Sequence, residues 1–336
     1  MNTDKLQRLT KILVELKASD SIGSPSRFLE LCLNAVDELA QYVPLPAEAA
    51  EKVSRARMIE ASRVSGLETR SKEICMHAVV AVLNLIPETR ERTKELASRQ
   101  PFGSMYLESI RNGITLLAQA LHLNIVRLSV ASLTNTATVT GERTLFAILN
   151  RSSLKKGVLV YKAVGGASEL TLTGKHYVQK HFGAISEGDN NDARLLLPEM
   201  MVDALMARFM ERDSSFAEIS PKREMTEEFT RAELVGQTSA LLTLSRVEEI
   251  VSIFRKSVIQ TPATKGDLSS ARSGDIPTYR VLHLFDLCMS SQILADLTNC
   301  QSLKGAPIFR QLTRAEVKAG QTTDGIQIGG NVFLAD

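Results

Sequence analysis

The sequence predicts an α+β fold in two parts, an α-helical module over residues 1–123 and a mixed helix-and-strand domain over residues 124–336. Three observations carry this expectation. Apolar residues recur at helical spacing through the first third. From about residue 125, short segments rich in Val, Thr, Leu and Phe appear between turn residues. No internal repeat or low-complexity tract breaks this order.

In the first part, Leu6, Leu9, Ile12, Leu13 and Leu16 make one helical stripe, and Phe28, Leu29, Leu31, Val36 and Leu39 another. Ser24-Pro25 is a helix start and Pro44 and Pro46 close that helix. Further helices fit Ala47–Glu60, Ser71–Leu85, Pro87–Ser98 and Gly103–Leu123. Arg, Lys and Glu alternate through 50–100 in the manner of solvated helix faces. His77 and His122 lie on apolar-rich faces and read as structural.

The second part predicts strands at Asn124–Leu133, Arg143–Leu149 and Val158–Val164, the last running into Gly165-Gly166. An inserted helix follows near 198–212, with Met201, Leu205 and Phe209 on one face. Ser220 opens a second helix. Later strands fit Ala240–Leu244, Val251–Phe254 and Tyr279–Leu287, with a polar loop at Thr261–Ile276. Asp324-Gly325 carries a hairpin-type turn signal before a final strand.

The 40 basic and 38 acidic residues leave a net charge of +2, so no bulk field calls for nucleic acid or an anionic membrane. The most apolar stretch, Ile114 to Leu133, is interrupted by Gln119, His122, Asn124 and Arg127 and is too polar to span a bilayer. Met1-Asn-Thr-Asp-Lys does not read as a signal peptide, and a cytoplasmic protein is expected. Cys32, Cys75, Cys288 and Cys300 lack metal-ligand spacing and read as free buried thiols. Serine-elbow, P-loop and zinc-spaced motifs are missing.

One segment concentrates chemistry. Ser220 can cap a helix, and Pro221 suits its first turn because its missing amide is one a helix leaves unpaired. Glu224, Glu227 and Glu228 then fall at i, i+3 and i+4 on one face, with Arg223 beside them. Two readings are open from spacing: a solvated acidic face, or a site for a hard divalent cation that wants several oxygens. Gly165 and Gly166 either let a backbone approach a phosphate or make a turn. His176 and His181, with Lys175 and Lys180, read as surface residues. Arg194 beside Asp192 is either a substrate clamp or an ion pair.

Arg223-Glu-Met-Thr-Glu-Glu228 resembles the core of the Nudix box, and the strand ending in Gly165-Gly166 resembles the one that precedes a Nudix loop. The order Asp192-Ala-Arg194, Ala207–Arg212, Glu218–Glu228, Tyr279-Arg280 and Thr323–Ile326 is similar to the divergent Nudix domains found beside bacterial second-messenger nucleotidyltransferases. Phe209, Ser215 and Thr230 stand where the family box carries Gly, Glu and Gly. The resemblance implies a mixed-sheet α/β/α sandwich over 124–336. It implies Mg²⁺ or Mn²⁺ held by Glu224, Glu227 and Glu228, with Glu218 an added ligand, and catalysis through the same three glutamates. Arg223 would orient a carboxylate, and Gly165, Gly166, Arg194 and Arg223 would meet a nucleotide or dinucleotide. The implied reaction is metal-dependent hydrolysis of a phosphoanhydride, in a setting of bacterial antiphage defence. The alternative is a catalytically degenerate nucleotide sensor or interaction module, with a homo-oligomer through the helical part left open.

Overall fold

The structure, a computed structural model, describes residues 3–19, 25–42, 47–62, 77–84, 104–150, 152–153, 156–187, 191–230, 241–262, 276–300, 305–329 and 332. Helices come first and a sheet-rich region follows, which makes the fold α+β. The chain divides into two compact units that are not contiguous in sequence. Unit 1 comprises Met1–Arg127, His176–Glu187 and Leu195–Leu205; unit 2 comprises Leu128–Lys175, Gly188–Arg194 and Met206–Asp336. The expected boundary after residue 123 lies close to the end of the first segment, but two later segments also join unit 1.

In unit 1, α1 (Thr3–Ala18), α2 (Pro25–Leu39), α3 (Ala47–Ser62) and α4 (Ser104–Ala120) form as the apolar spacing requires. Leu6, Leu9, Leu13 and Leu16 of α1 meet Phe28, Leu29, Val36 and Leu39 of α2 and Leu107, Ile110, Ile114 and Leu117 of α4 in one buried cluster. Asp4 in the first turn of α1 and Lys17 in its last complement the helix dipole. Residues 77–83 are also helical, while the helix expected at Pro87–Ser98 falls outside the described residues. His77 and His122 are exposed and not on apolar faces; His122 ends a helix with φ 55 and contributes its amide to Gln119 O.

Unit 2 is built on one sheet. β1 (Ile125–Val139) pairs antiparallel with β2 (Glu142–Leu149), and β2 in turn with β3 (Val160–Lys162). β4 (Val164–Ala167) lies against β1, with Leu133 opposite Gly165 and Ser132 opposite Gly166. Gly165 and Gly166 are thus inside a strand; the expected strand Val158–Val164 is split before them and no turn forms there. A two-residue ribbon pairs β5 (Glu169–Leu170) with a later strand; then come α5 (Leu172–Phe182), β6 (Ile185–Ser186) and β7 (Arg194–Pro198), whose residues belong largely to unit 1. A 3-10 turn at Glu199–Met201 leads into α6 (Val202–Met210), where the inserted helix was expected. β8 (Ala217–Glu218) is the partner of β5, and α7 (Lys222–Thr230) follows it.

The remaining elements are α8 (Leu244–Glu248), β9 (Val251–Gln260), β10 (Thr278–Cys288), α9 (Ser291–Thr298), β11 (Phe309–Leu312), α10 (Arg314–Ala319) and β12 (Gln327–Ile328). The ladder runs β12-β3-β2-β1-β10-β9, with β11 on β2. Where a strand was expected at Ala240–Leu244, residues 241–242 bend and α8 begins, because the Thr243 hydroxyl accepts from the Arg246 amide and caps a helix. β9 and β10 pair over nine positions, with a register shift between Leu284 and Phe285 that leaves Arg255 out of the ladder. The expected Asp324-Gly325 turn forms, with Gly325 at φ 82 and the Thr322 amide bonded to Ile326 O.

Strand alternation distributes the core. Phe146 and Ile148 of β2 join Val164, Met225, Phe229, Ile293 and Phe309. Ala147 and Leu149 join Tyr161, Ala163, Leu312 and Val317. Helices α7, α8 and α9 therefore cover one face of the sheet and α10 the other. Cys32, Cys288 and Cys300 are free thiols; Cys32 is buried, whereas Cys288, the last residue of β10, and Cys300, just past α9, are only partly buried. Among the described residues no helix is long and apolar enough to cross a membrane.

A candidate acidic metal and phosphate site

Helix α7 is anchored by Met225 and Phe229, both fully buried, which turns its polar residues along β3, β4 and the β5–β8 ribbon. The Ser220 hydroxyl accepts from the Lys222 amide, and Pro221 O accepts from the Met225 amide, so the start expected from Ser220-Pro221 forms.

Arg223 is the hub of the polar face. Its guanidinium lies 2.9 Å from Glu224 Oε1, 3.0 Å from Glu227 Oε1, 3.4 Å from Glu218 Oε2 and 3.5 Å from Glu169 Oε1. Its Nη2 also donates to Ala167 O at 2.9 Å, tying α7 to β4. Glu169 and Glu218 are direct cross-strand partners in the ribbon. Two like charges so placed repel, and the guanidinium between them offsets the cost. On the other flank, Lys162 Nζ of β3 donates to Glu228 Oε1 at 2.7 Å. Glu228 is only 13% exposed, and its Oε2 is buried and accepts no hydrogen bond.

Five glutamates thus gather on two cations, leaving three negative charges in excess. Burial raises the Glu224 carboxyl above its ordinary value; Arg223 and Lys162 oppose the rise, and Glu227 and Glu228 add to it. Burial disfavours the Arg223 charge, but Glu224, Glu169 and Glu227 together push its pKa above the usual value.

The two glycines have separate reasons to be glycine. Gly165 sits at φ 134, and a Cβ there would overlap the Ser132 carbonyl oxygen of the neighbouring strand. A Cβ on Gly166 would fall onto the Glu224 carboxylate. Gly166 therefore leaves the space in which that carboxylate lies, a closer role than either a turn or a bare approach to phosphate.

Of the residues singled out in the sequence, Glu218, Glu224, Glu227, Arg223 and Gly166 come together. Glu228 turns to Lys162 at the edge of the same cluster. Arg194 is half exposed, and its ion pair goes to Asp192 at 3.7 Å; Asp192 is bridged to Glu169 through the backbone. His176 and His181 are exposed on α5. Glu169 and Lys162 were not anticipated. Glu169 stands three residues after Gly166, and only strand pairing carries it to Glu218.

The donor set suits a hard divalent cation: carboxylate oxygens only, a surplus of negative charge and one buried oxygen without a donor. Glu224, Glu227, Glu228 and Glu218 are the residues that could hold it. As the side chains stand, their oxygens are directed to Arg223 and Lys162, and among the described residues no three Asp, Glu, His or Cys side chains are gathered closely enough to hold an ion. No family model, curated protein or solved structure matches the chain.

Proposed function

We infer that the protein is a Mg²⁺- or Mn²⁺-dependent hydrolase of a phosphoanhydride in a nucleotide or nucleotide-derived signal, of the Nudix type. The observation that carries the reading is the excess of five glutamates over Arg223 and Lys162, with Glu228 Oε2 buried and unpaired. An anionic pyrophosphate is repelled by such a surface, and a divalent cation reverses the sign of the field.

When bound, the cation would supply Lewis-acid polarisation of the phosphoryl oxygens. The chain's own residues divide the remaining work. Lys162 fixes Glu228 through Oε1, which aims Oε2 away from the lysine. Arg223 holds Glu224 and Glu227 in fixed orientation while it is itself fastened to Ala167 O. Glu224 has a raised affinity for a proton and suits the role of proton acceptor from the attacking water. Gly166 keeps the strand surface beside Glu224 free of a side chain, and Arg194 is a half-exposed cation for a distal phosphate. A role in antiphage defence belongs to the same proposal.

A second reading is favoured by one observation. Arg223 and Lys162 already engage one oxygen of every carboxylate in the cluster, as suits a nucleotide sensor without turnover. The two separate on a single experiment. The wild type and Glu227→Gln/Glu228→Gln are incubated with a panel of nucleoside diphosphate derivatives and Mg²⁺ or Mn²⁺, and both product release and calorimetric binding are followed. The hydrolase predicts wild-type turnover that falls by at least roughly 100-fold in the variant. Binding without turnover assigns the sensor, and a wild type that binds neither metal nor nucleotide sinks both.

A further inference from the structure

A second polar feature lies elsewhere in unit 2, where the β2–β11 ladder ends. The last paired residues are Leu145 and Leu312. Carried two places further, that register sets Arg143 opposite Arg314. The strands do not continue their pairing there, because Thr313 caps α10 and turns the chain into the helix. The opening is a groove of about 530 Å³ lined by Arg143, Thr144, Leu145, Gln311, Leu312, Thr313 and Arg314.

Arg143 and Arg314 both line this opening, and two cations at one opening favour an anion between them. Arg143 is held from one side only: it is registered against Thr138 of β1, and its Nη2 lies 3.2 Å from Asp286 Oδ1. That carboxylate oxygen also accepts from the Thr136 hydroxyl. A single shared carboxylate leaves most of the guanidinium's donors for another partner. Arg314 and Gln311 are exposed on the opposite wall.

Three properties define what fits. Two arginines facing one opening match a dianion with several oxygens better than a carboxylate, which one guanidinium satisfies. The volume is in the range of sites for small organic ligands and larger than a free phosphate needs. Leu145 and Leu312 supply an apolar floor. These leucines belong to the core shared with Tyr161 and Val317, whereas the glutamate helix α7 packs on the other face of the sheet.

We propose that this groove is a second ligand site, taking a small organic phosphate whose phosphate lies between Arg143 and Arg314 and whose less polar part rests on Leu145 and Leu312. The site is independent of the acidic cluster and needs no metal.

The test uses the full chain in EDTA at low ionic strength, with AMP, inorganic phosphate and adenosine as probes in calorimetry and thermal shift. AMP is expected to bind and raise the melting temperature, inorganic phosphate to compete at higher concentration, and adenosine to have no effect. Arg314→Gln, a change at an exposed position, is expected to weaken AMP at least about tenfold. Arg143→Gln should do the same and also loses the Asp286 pair, so Arg314→Gln decides if the other variant folds poorly. The proposal is overturned if AMP does not bind, if adenosine binds as well as AMP, or if Arg314→Gln keeps wild-type affinity. Free phosphate binding as tightly as AMP overturns the assignment of an organic ligand.

Discussion

A buried glutamate, Glu316, and a half-buried one, Glu224, in the same unit show opposite solutions to the same problem. Glu316 accepts from the Thr313 amide at 2.9 Å and hydroxyl at 3.0 Å, from the Thr323 amide at 2.9 Å, and from Arg310 at 3.2 Å. Burial alone would raise its pKa, but the two amides, the Thr313 hydroxyl and Arg310 outweigh that and hold it at about 2. Glu224 is half-buried among other glutamates and shares one arginine, so burial wins and its pKa rises. The first carboxylate has more donors than it needs and closes a capping box. The second is in deficit. A network with surplus donors is complete as structure, whereas the surplus of acceptors around Glu224 is the observation behind the proposed cation.

The largest expected effect bears on the floor beneath the acidic cluster. Gly165→Ala places a Cβ against a backbone carbonyl at positive φ, and should cost about 4 kcal/mol in chemical denaturation. Gly166→Ala meets only a movable carboxylate and should cost far less while weakening the proposed metal binding. Equal losses at the two positions would mean that the cluster is part of the structural frame. Glu316→Gln comes next, with an expected loss of about 3 kcal/mol, since Thr313, Thr323 and Arg310 together lose a buried, charged acceptor. Its pH signature has a definite sign. The folded pKa lies below the unfolded one, so the stabilisation is full above about 4.5 and fades as pH falls towards about 2.

Glu224→Gln should have the smallest effect on stability and the opposite sign. The folded pKa lies above the unfolded one, so this site stabilises the protein at low pH and loses that contribution as pH rises through the folded value. Gln mimics the protonated acid. The variant should be slightly more stable than wild type at pH 7, and that advantage should fade in acid, where Glu224 is itself protonated. A destabilised variant at neutral pH would break the contrast with Glu316.

Local signals were legible in the sequence. The stripe Leu6, Leu9, Leu13 and Leu16 fixes the buried face of α1, and Ser220-Pro221 fixes the start of α7. Helical spacing also placed Glu224 and Glu227 together, since both reach Arg223 within one turn. What remained hidden depends on sheet register. Glu169 meets Glu218 across 48 intervening positions, and Lys162, at the end of β3, meets Glu228 of α7. The same holds for Arg143 and Arg314, which line one groove just beyond the end of the β2–β11 pairing. At Ala240–Leu244 two local signals competed, and the capping hydroxyl of Thr243 overrode an apolar run too short to decide.

The register shift between Leu284 and Phe285 has a consequence for solubility. β9 is the last strand of the described ladder, and it exposes Val251, Ile253 and Ile259. A straight strand of that composition is a template on which further chains can stack and aggregate. The bulge at Arg255 interrupts its row of amides midway, and Arg255-Lys256 puts two cations at the break. Any strand adding there would have to bend at the same residue and carry its own acidic answer to that pair.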